Sequence, residues 1–292
     1  MSEISHSEFS KVSHEIPAAR LALRGKIGLL FILVWVAVAI FAPVIAPYEP
    51  NSSDLMAFLQ EPSLSSGHWL GTDDLGRDIL SRVFYGARPV LLVATLATLL
   101  SALIGSFLGI LAGFSRRLVD QIIARVAEIQ LTIPGLVLAL LALALFGSRL
   151  ENLILILALE SWPLHFRVAR SYTLNARNQG YMEAAWLAGV PHWKSVLRHV
   201  VPGLLPLLIA TSTISAAFII MTEAGLSFIG LGIQPPTADW GLMIAQGKSQ
   251  LGAAWWLSLM PAFALLSLLF GVQLLGDALS SRLSARETGE PS

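Results

Sequence analysis

Long runs without a charged residue constrain this chain more than any other feature of its sequence. A helix that spans a bilayer needs roughly 20 mainly apolar residues. Five segments reach that length: residues 27–46, 89–115 and 129–148 carry no charge, and residues 199–222 and 249–276 each contain an uncharged stretch long enough to cross. Only 13% of the residues are charged, about half the share in soluble domains. The pattern predicts an all-α polytopic membrane protein.

A sixth span is predicted at residues 152–166, although Glu160 lies inside it. Six spans place both termini on one side of the membrane, together with all but five of the 19 Lys and Arg residues; the exceptions are Arg77, Arg82, Arg88, Arg149 and Lys248. Because basic residues accumulate on the cytoplasmic side, both termini are expected in the cytoplasm. With only five spans, the basic residues of segment 167–198 would move outside, so six spans fit better.

The predicted layout follows from these spans. A cytoplasmic segment (1–26) precedes the first span (27–47), and an outer loop (48–88) follows it. The remaining spans form a core (89–283), which includes a cytoplasmic loop (175–202). A cytoplasmic tail (284–292) follows the core. The first span is expected to be an uncleaved anchor rather than a signal peptide, because a long polar leader precedes it and further spans follow.

Several functional classes find no support in the sequence. The net charge is zero, so the bulk basicity of a nucleic-acid-binding protein is missing. There is no cysteine, which excludes disulfides and thiol catalysis. Neither H-E-x-x-H nor G-x-S-x-G occurs, so no enzyme active site, metal site or cofactor is predicted. The stretch "GLMIAQGKS" (241–249) resembles a phosphate-binding loop but has one residue too many between Gly241 and Gly247.

The cytoplasmic loop "HFRVARSYTLNARNQGYMEAAWLAGVPHWKSVLRHVVPG" (165–203) predicts a helix–turn–helix. Residues 181–188 tolerate a helix, Gly189 can adopt the left-handed conformation that ends one, and Pro191 follows shortly after. A second helix is expected from Pro191 to about residue 201, with Pro202 at the start of the next span. Two interpretations stay open: an ordinary surface loop, or a small peg that docks into a groove of a cytoplasmic partner.

Within this loop, "EAAWLAGVPHWKSVLRHVVP" resembles the E-A-A-x-x-x-G loop of permease subunits in binding-protein-dependent ABC importers. The matching residues are Glu183, Ala184, Ala185 and Gly189. Four further stretches resemble the dipeptide/oligopeptide/nickel branch of these permeases: "GTDDLGRDILSRVFYGAR" (71–88), "WPLHFRVARSYTL" (162–174), "EAGLSFIGLGIQPPTADWG" (223–241) and "LGD" (275–277). The chain is similar to the second of the two permeases that such systems usually carry.

The resemblance implies six transmembrane helices in the type I ABC importer permease fold, in a bacterial inner membrane. It also implies a second permease, two cytoplasmic ATP-binding subunits and an external solute-binding protein as partners. The E-A-A residues would contact the ATPase, whose closure would swing the helices from inward-open to outward-open. The chain departs from the family at Pro89, Gly203 and Glu160. The first two are expected only to adjust helix starts, whereas Glu160 could bear on the pathway.

The charged stretch at 68–92 precedes the second span and is expected on the outer side. Asp73, Gly76, Arg77 and Asp78 are its candidate functional residues. One interpretation is a polar cap on the following helix, since Asp is favourable near a helix start. The other adds a docking surface or gate beneath a solute-binding protein, formed by an internally paired collar.

Four residues are candidates for the transport pathway: Glu160, Thr211, Ser212 and Ser215. The small hydroxylated residues could instead serve helix–helix packing, as such residues do in membranes. A glutamate within a span is a functional-site hypothesis, with a snorkelling carboxylate as its alternative.

Two functions are weighed on the sequence. The first is a permease subunit of an ATP-driven importer of peptides or a related small solute, with ATP hydrolysis on separate subunits. The second is a stand-alone ion-coupled carrier, which usually has charged or broken helices at the bilayer centre. The nearly charge-free spans favour the first.

Overall fold

The computed structural model describes residues 18–65 and 67–288, and the predictions for residues 1–17 and 289–292 lie outside this range. Its regular elements are helices, besides one isolated bridge between Thr72 and Asp78. The α-helices are α1 (Ala18–Ile45), α2 (Ile79–Phe114), α3 (Arg117–Thr132), α4 (Gly135–Phe146), α5 (Leu150–Arg177), α6 (Gly180–Leu187), α7 (His192–Ser195), α8 (Val201–Phe228), α9 (Trp240–Gly247) and α10 (Trp256–Thr288).

Four of the described helical stretches are long and apolar enough to cross a membrane: Leu23–Ile45, Ile79–Phe114, Trp193–Phe228 and Trp256–Leu283. A fifth span results if α3 and α4 together count as one. The prediction of an all-helical, multi-pass membrane protein is therefore confirmed.

The predicted span at 129–148 is wrong as a single helix. The chain bends by 92° between α3 and α4. The residue before Pro134, Ile133, has extended backbone angles (φ −91°, ψ 127°), because the ring of a proline disfavours helical geometry in the residue before it. The apolar run is uninterrupted in composition, so hydropathy alone did not reveal the break.

The second predicted span starts too late. Helix α2 begins at Ile79, and Pro89 lies inside it rather than at its start. Asp78 is the N-cap, and its carboxylate accepts hydrogen bonds from the Ser81 N–H and the Ser81 Oγ, both at 2.7 Å. A carboxylate that satisfies an unpaired N–H of the first turn stabilises a helix start. Arg82 and Arg88 therefore belong to the helix, and Asp78 caps it.

Two other boundaries differ from the predictions. No break separates the predicted second helix of the coupling loop from the fifth span, because a π-helical turn at Val196–Val200 leads directly into α8. Pro202 lies within this continuous helical stretch and has no N–H to donate to the preceding turn. The π-helical turn lies directly before it. At the other end, α10 continues to Thr288 and so takes in part of the predicted tail.

Helices α2 and α5 form the most extensive contact in the bundle. Gly105, Gly109 and Gly113 of α2 face α5, and we call them the glycine stripe. A Cβ added at Gly105 would lie 2.5 Å from the Trp162 carbonyl oxygen, and one at Gly109 would lie 2.8 Å from the Arg170 nitrogen. Glycine at every fourth residue lets two helix backbones approach closely, which is how helices associate in lipid.

A second packing centre holds α9 against the long helices. Trp240 is fully buried, and its Nε1–H donates to the Val83 carbonyl of α2 at 2.9 Å. The Trp35 ring of α1 meets the Trp240 ring edge-on, with 4.7 Å between the ring centroids. The segment between α8 and α10 is thereby fixed to α1 and α2.

Candidate transport site

The predicted helix–turn–helix is present as α6, a tight turn and α7, and we call residues 180–191 the knob. Helix α6 ends at Leu187, and Gly189 has a positive φ of +77°. Two hydrogen bonds close the turn: Gly189 N–H to the Trp186 carbonyl at 2.9 Å and Val190 N–H to the Ala185 carbonyl at 3.0 Å. This pair of bonds is the Schellman motif, which satisfies the last carbonyls of a helix.

The knob is anchored to the bundle by one buried side chain. Met182 of α6 is fully buried in a cluster with Ala176 of α5 and Val200. Ile110 and Phe114, at the end of α2, pack against the same cluster. A force on the knob is therefore transmitted to the ends of both α2 and α5.

The other face of the knob is open. Glu183 and Ala184 are exposed, Ala185 is half-buried, and Leu187 is 84% exposed. No atom lies within 4 Å of a Cβ built on Gly189. An apolar side chain held this far out of the bundle, next to a carboxylate and small residues, is typical of a contact surface for another protein.

The charged stretch before α2 forms the internally paired collar, which we define as residues 71–82. Asp73 accepts from Arg77 Nε at 2.7 Å and lies 3.7 Å from Arg82 Nε. Arg82 also donates to the Pro50 carbonyl at 3.1 Å. Gly76 has a φ of +71°, and a Cβ there would collide with the Asp54 carbonyl. The collar therefore holds the outer loop against the start of α2.

Burial limits what the collar can contact. Asp73, Arg77 and Asp78 are each at most 7% exposed. These side chains shape the loop from inside, and Asp78 additionally caps α2. The exposed residues of the collar are Asp74 and Leu75. These two residues are the part of the collar that another protein can reach.

The predicted pathway residue Ser212 takes part in a chain of hydrogen-bonding groups across three helices. His165 of α5 is fully buried, with its Nδ1 3.2 Å from Ser101 Oγ of α2 and its Nε2 3.2 Å from Ser212 Oγ of α8. A single imidazole thus joins α2, α5 and α8. The sequence prediction missed His165, although an ionisable residue inside a span is a signal for function.

Thr211 and Ser215 lie deeper in the bundle than Ser212. Thr211 Oγ1 donates to the Leu207 carbonyl of its own helix at 2.8 Å. Ser215 is 1% exposed, and its hydroxyl has no hydrogen-bond partner among the described residues. This burial favours the packing interpretation for these two residues.

Glu160 lies beside the sharp bend between α3 and α4. Its Oε1 occupies the space that a Cβ on Gly135 would fill. Gly135 is the first residue of α4, whose N-cap, Pro134, makes no side-chain capping bond. The carboxylate therefore faces the positive end of a helix dipole, an arrangement that stabilises negative charge. Glycine at 135 leaves the room for this approach.

A buried pair of carboxyl groups was not predicted. Glu223 of α8 and Asp239, the N-cap of α9, are 1% and 0% exposed, and their side chains lie within hydrogen-bonding reach of each other. Ser227 Oγ donates to Glu223 Oε1 at 3.0 Å, and the Leu242 N–H donates to Asp239 Oδ1 at 2.9 Å. The remaining carboxyl oxygens find no donor among the described residues. A hydrogen bond between the two groups requires a proton on one of them.

The carboxyl pair makes stability depend on pH. Burial raises the pKa of the Asp239 carboxyl. A carboxyl whose pKa is higher in the folded than in the unfolded state binds more protons when folded, so the free energy of unfolding falls as the pH rises. We expect the melting temperature of the purified protein to fall as the pH rises above the ordinary carboxyl pKa of about 4, and to fall less in Asp239→Asn. The asparagine still caps α9, and its amide can donate to Glu223.

Two controls separate the cap from the proton. Asp239→Ala loses the capping bond, which costs about 1 kcal/mol, so it should melt lower at every pH. Asp54→Asn changes an exposed N-cap, where the carboxylate accepts from the Met56 N–H at 3.0 Å, and should leave the pH dependence unchanged. If Asp239→Asn keeps the full pH dependence of the wild type, a proton shared with Glu223 is not the cause of that dependence.

The fold of the chain is similar to that of a solved ABC transporter chain. A chain of the MetNI methionine ABC transporter, solved in inward-facing conformations, superposes with a TM-score of 0.56 at 19% sequence identity. The match covers 67% of the present chain and 93% of that chain. A similarity at this identity concerns the fold alone.

The sequence assigns the family. Residues 105–285 match the binding-protein-dependent transport system inner membrane component, and residues 24–62 match the N-terminal TM domain of oligopeptide transport permease C. The chain belongs to the family of binding-protein-dependent transport system inner membrane components.

Curated relatives are similar over nearly their whole length. The di/tripeptide transport system permease protein of Pseudomonas aeruginosa is 37% identical, with 89% of this chain and 87% of the relative covered. The probable D,D-dipeptide transport system permease protein of Escherichia coli is 36% identical, with 90% and 88% covered. The glutathione transport system permease protein of Pectobacterium atrosepticum is 34% identical, with 88% and 85% covered.

Membership in this family confirms the expectation of an importer subunit that works with ATPase and substrate-binding components. ATP hydrolysis is carried out by separate ATPase subunits, so the chain is not itself an enzyme. It is a multi-pass membrane protein of a bacterial ABC transport system. The family also favours the ABC importer over the stand-alone carrier that was weighed on the sequence.

Proposed function

We propose that this chain is one of two permease subunits in an importer of di- or oligopeptides. Similar permeases of di/tripeptide and D,D-dipeptide transport systems support peptides as the cargo class. Two observations support a second permease as partner. The G-T-D-x-x-G-R-D stretch resembles that of one of the two permeases such systems usually carry. In addition, the long helices of this chain have open apolar faces. Leu103 and Phe107 of α2 and Phe218 of α8 are more than half exposed.

The knob is the contact with the ATPase in this proposal. The single observation that carries it is the combination of an open face at Glu183 and Leu187 with the buried Met182 anchor. The open face can enter a groove of the ATPase, and Glu183 can pair with a cation there. The anchor then couples movement of that groove to α2 and α5.

The proposed orientation places the knob and both termini in the cytoplasm and the collar outside. The excess of Lys and Arg on the knob side supports it. It requires six crossings of the inner membrane, with the bent α3–α4 pair as the third and α5 as the fourth. Helix α5 has 28 residues and so a length of about 42 Å, enough to cross.

On the outer side, the proposal assigns receptor docking to the exposed Asp74 and Leu75, held in place by Asp73, Gly76, Arg77 and Asp78. For the pathway, Ser212 is the stronger candidate because it is half-buried and bonded to His165. Thr211, Ser215 and Glu160 support the helices that surround it.

The proposed function is tested by reconstituted uptake. The tagged chain should bring down a second permease and an ATPase pair, and the complex in proteoliposomes with its receptor should accumulate peptide only when ATP is supplied. Uptake of peptide driven by a proton gradient without ATP would contradict the proposal. Lack of uptake of any peptide, with ATP-driven uptake of a non-peptide solute, would contradict the cargo class alone.

The orientation is tested with single cysteines, because the chain has none of its own. In membrane vesicles, Glu183→Cys should react with a membrane-impermeant maleimide only from the cytoplasmic side. Asp74→Cys, also exposed, serves as the matched control and should react only from the opposite side. Labelling of Glu183→Cys from the outside would place the knob beyond the reach of any ATPase.

A further inference from the structure

A cavity of about 220 Å³ lies on the collar side of the bundle. Three parts of the chain enclose it: α2 at Pro89, the connection from α4 to α5 together with the first turns of α5, and the segment at 232–237. In the proposed orientation it opens on the outer side, where cargo arrives. Its position belongs neither to the knob nor to the collar.

The cavity carries one unbalanced charge. Of the described residues that line it, Arg149 alone is charged, and Ser148, Gln234 and Thr237 add polar groups. Arg149 is exposed and forms no ion pair with any carboxylate in the described part of the chain. The Gln234 amide nitrogen already donates hydrogen bonds to the Gly230 and Gly232 carbonyls, at 3.1 and 3.0 Å. The guanidinium is thus the charged donor group of the described lining, and it has no carboxylate partner there.

The surrounding backbone adds to the positive potential. Arg149 is the N-cap of α5, a 28-residue helix, and the cap makes no side-chain hydrogen bond. The positive end of the α5 dipole therefore lies at the same cavity and favours an anion beside the guanidinium.

The floor of the cavity is apolar and closed. Leu153 and Ile233 line it, and they are 1% and 8% exposed. Both belong to a buried cluster that includes Val93 of α2, Leu143 of α4 and Leu157 of α5. Below the polar lining, the route into the bundle is thus blocked by tightly packed aliphatic side chains. A charged group that enters from outside stops at Arg149.

We infer that this cavity is a carboxylate-binding subsite, in which the guanidinium of Arg149 receives the C-terminal carboxylate of a peptide as it leaves the receptor. Arginine binds carboxylates through two parallel hydrogen bonds, and this recognition is stronger than that of a neutral acceptor. The volume is below the range of about 300–1,000 Å³ for sites that enclose a whole small molecule, so the subsite holds one end of the cargo. This inference rests on the proposed peptide import and on the proposed orientation.

The test measures binding to the intact importer in nanodiscs without receptor, by saturation-transfer NMR. The probes are trialanine and trialanine amide, which differ only in the C-terminal group. We expect the wild-type complex to bind trialanine about tenfold more tightly than the amide, since a hydrogen bond to a charged group contributes about 1.5–3 kcal/mol. In Arg149→Gln the two dissociation constants should become equal. Lys248→Gln removes another outer-side cation that does not line the cavity and should keep the preference.

Two results would overturn the inference. Equal affinities of the wild-type complex for acid and amide mean that no carboxylate is recognised. A loss of receptor docking in Arg149→Gln with the preference for the acid unchanged means that the guanidinium meets an acidic side chain of a partner. With either result, the wild-type complex still takes up trialanine with ATP if the proposed function holds. Loss of that uptake in the wild type contradicts the proposed function instead.

Discussion

Replacing Gly109 with leucine is expected to prevent the chain from folding into a stable bundle. A Cβ at this position would lie 2.6 Å from the Ala169 Cβ and 2.8 Å from both the Phe166 carbonyl oxygen and the Arg170 nitrogen. Two of these atoms belong to the backbone of α5 and cannot rotate away. The larger side chain must push α2 and α5 apart along their whole contact. Yield of monodisperse protein in detergent-solubilised membranes, followed by size-exclusion chromatography, measures the effect.

A smaller substitution gives a graded version with a matched control. Gly109→Ala adds one methyl group and should destabilise the protein by about 1–3 kcal/mol, as overpacking does. Gly225→Ala makes the same change in α8, where the nearest atom to the new Cβ is Leu136 Cδ1 at 3.9 Å. It should leave stability unchanged or raise it, because alanine favours helices by about 1 kcal/mol over glycine. Equal melting temperatures for the two variants would contradict a close α2–α5 contact.

Replacing Gly189 with valine is expected to abolish transport while the receptor still binds its peptide. Position 189 has a φ of +77°, and a left-handed residue with a Cβ costs about 1–2 kcal/mol, more for a β-branched side chain. The turn would open, the two Schellman bonds would break, and the exposed face at Glu183 would no longer meet the ATPase. ATP-driven uptake should fall by more than about tenfold, measured against receptor binding of the same peptide.

Gly189→Asn is the matched control, because asparagine adopts the left-handed conformation at modest cost. It should keep most of the uptake. Since no atom lies within 4 Å of a Cβ at this position, a steric clash within the chain explains neither result. Normal uptake by Gly189→Val would contradict the coupling role of the turn. Equal loss in both variants would mean that the groove of the ATPase leaves no room for any side chain there.

Composition and local pattern predicted the helical membrane architecture and the turn at Gly189. Both depend on short-range properties: the length of an apolar run, and a glycine followed by a proline. The bend before Pro134 was not predicted, because hydropathy indicates which residues tolerate lipid and not where their helix changes direction. The early start of α2 was not predicted because the span was placed on the uncharged run from Pro89, which left Arg82 in the predicted outer loop. The interpretation of the charged stretch as a polar cap applies to Asp78, which caps α2, whereas Arg82 lies inside the helix and is buried against the outer loop.

The buried carboxyl pair, Glu223 and Asp239, was not predicted for a different reason. Glu223 and Asp239 are 16 positions apart, and only the fold of the connection between α8 and α9 brings them together. Glu223 also lies one residue beyond the predicted fifth span, so it did not stand out as an acid in lipid. The glycine stripe, by contrast, was visible in the sequence: Gly105, Gly109 and Gly113 recur at every fourth residue, a spacing that predicts close helix contact.

Among the described helices, α2 alone reaches from the collar to the cluster that holds the knob. Its 36 residues form a rod about 54 Å long, bounded by the Asp78 cap at one end and by Phe114 beside Met182 at the other. A tilt of about 10° at the Met182 end would sweep the collar end through about 9 Å, given that length. If the knob contacts the ATPase as proposed, a displacement of that size at the collar would accompany a modest closure of the ATPase.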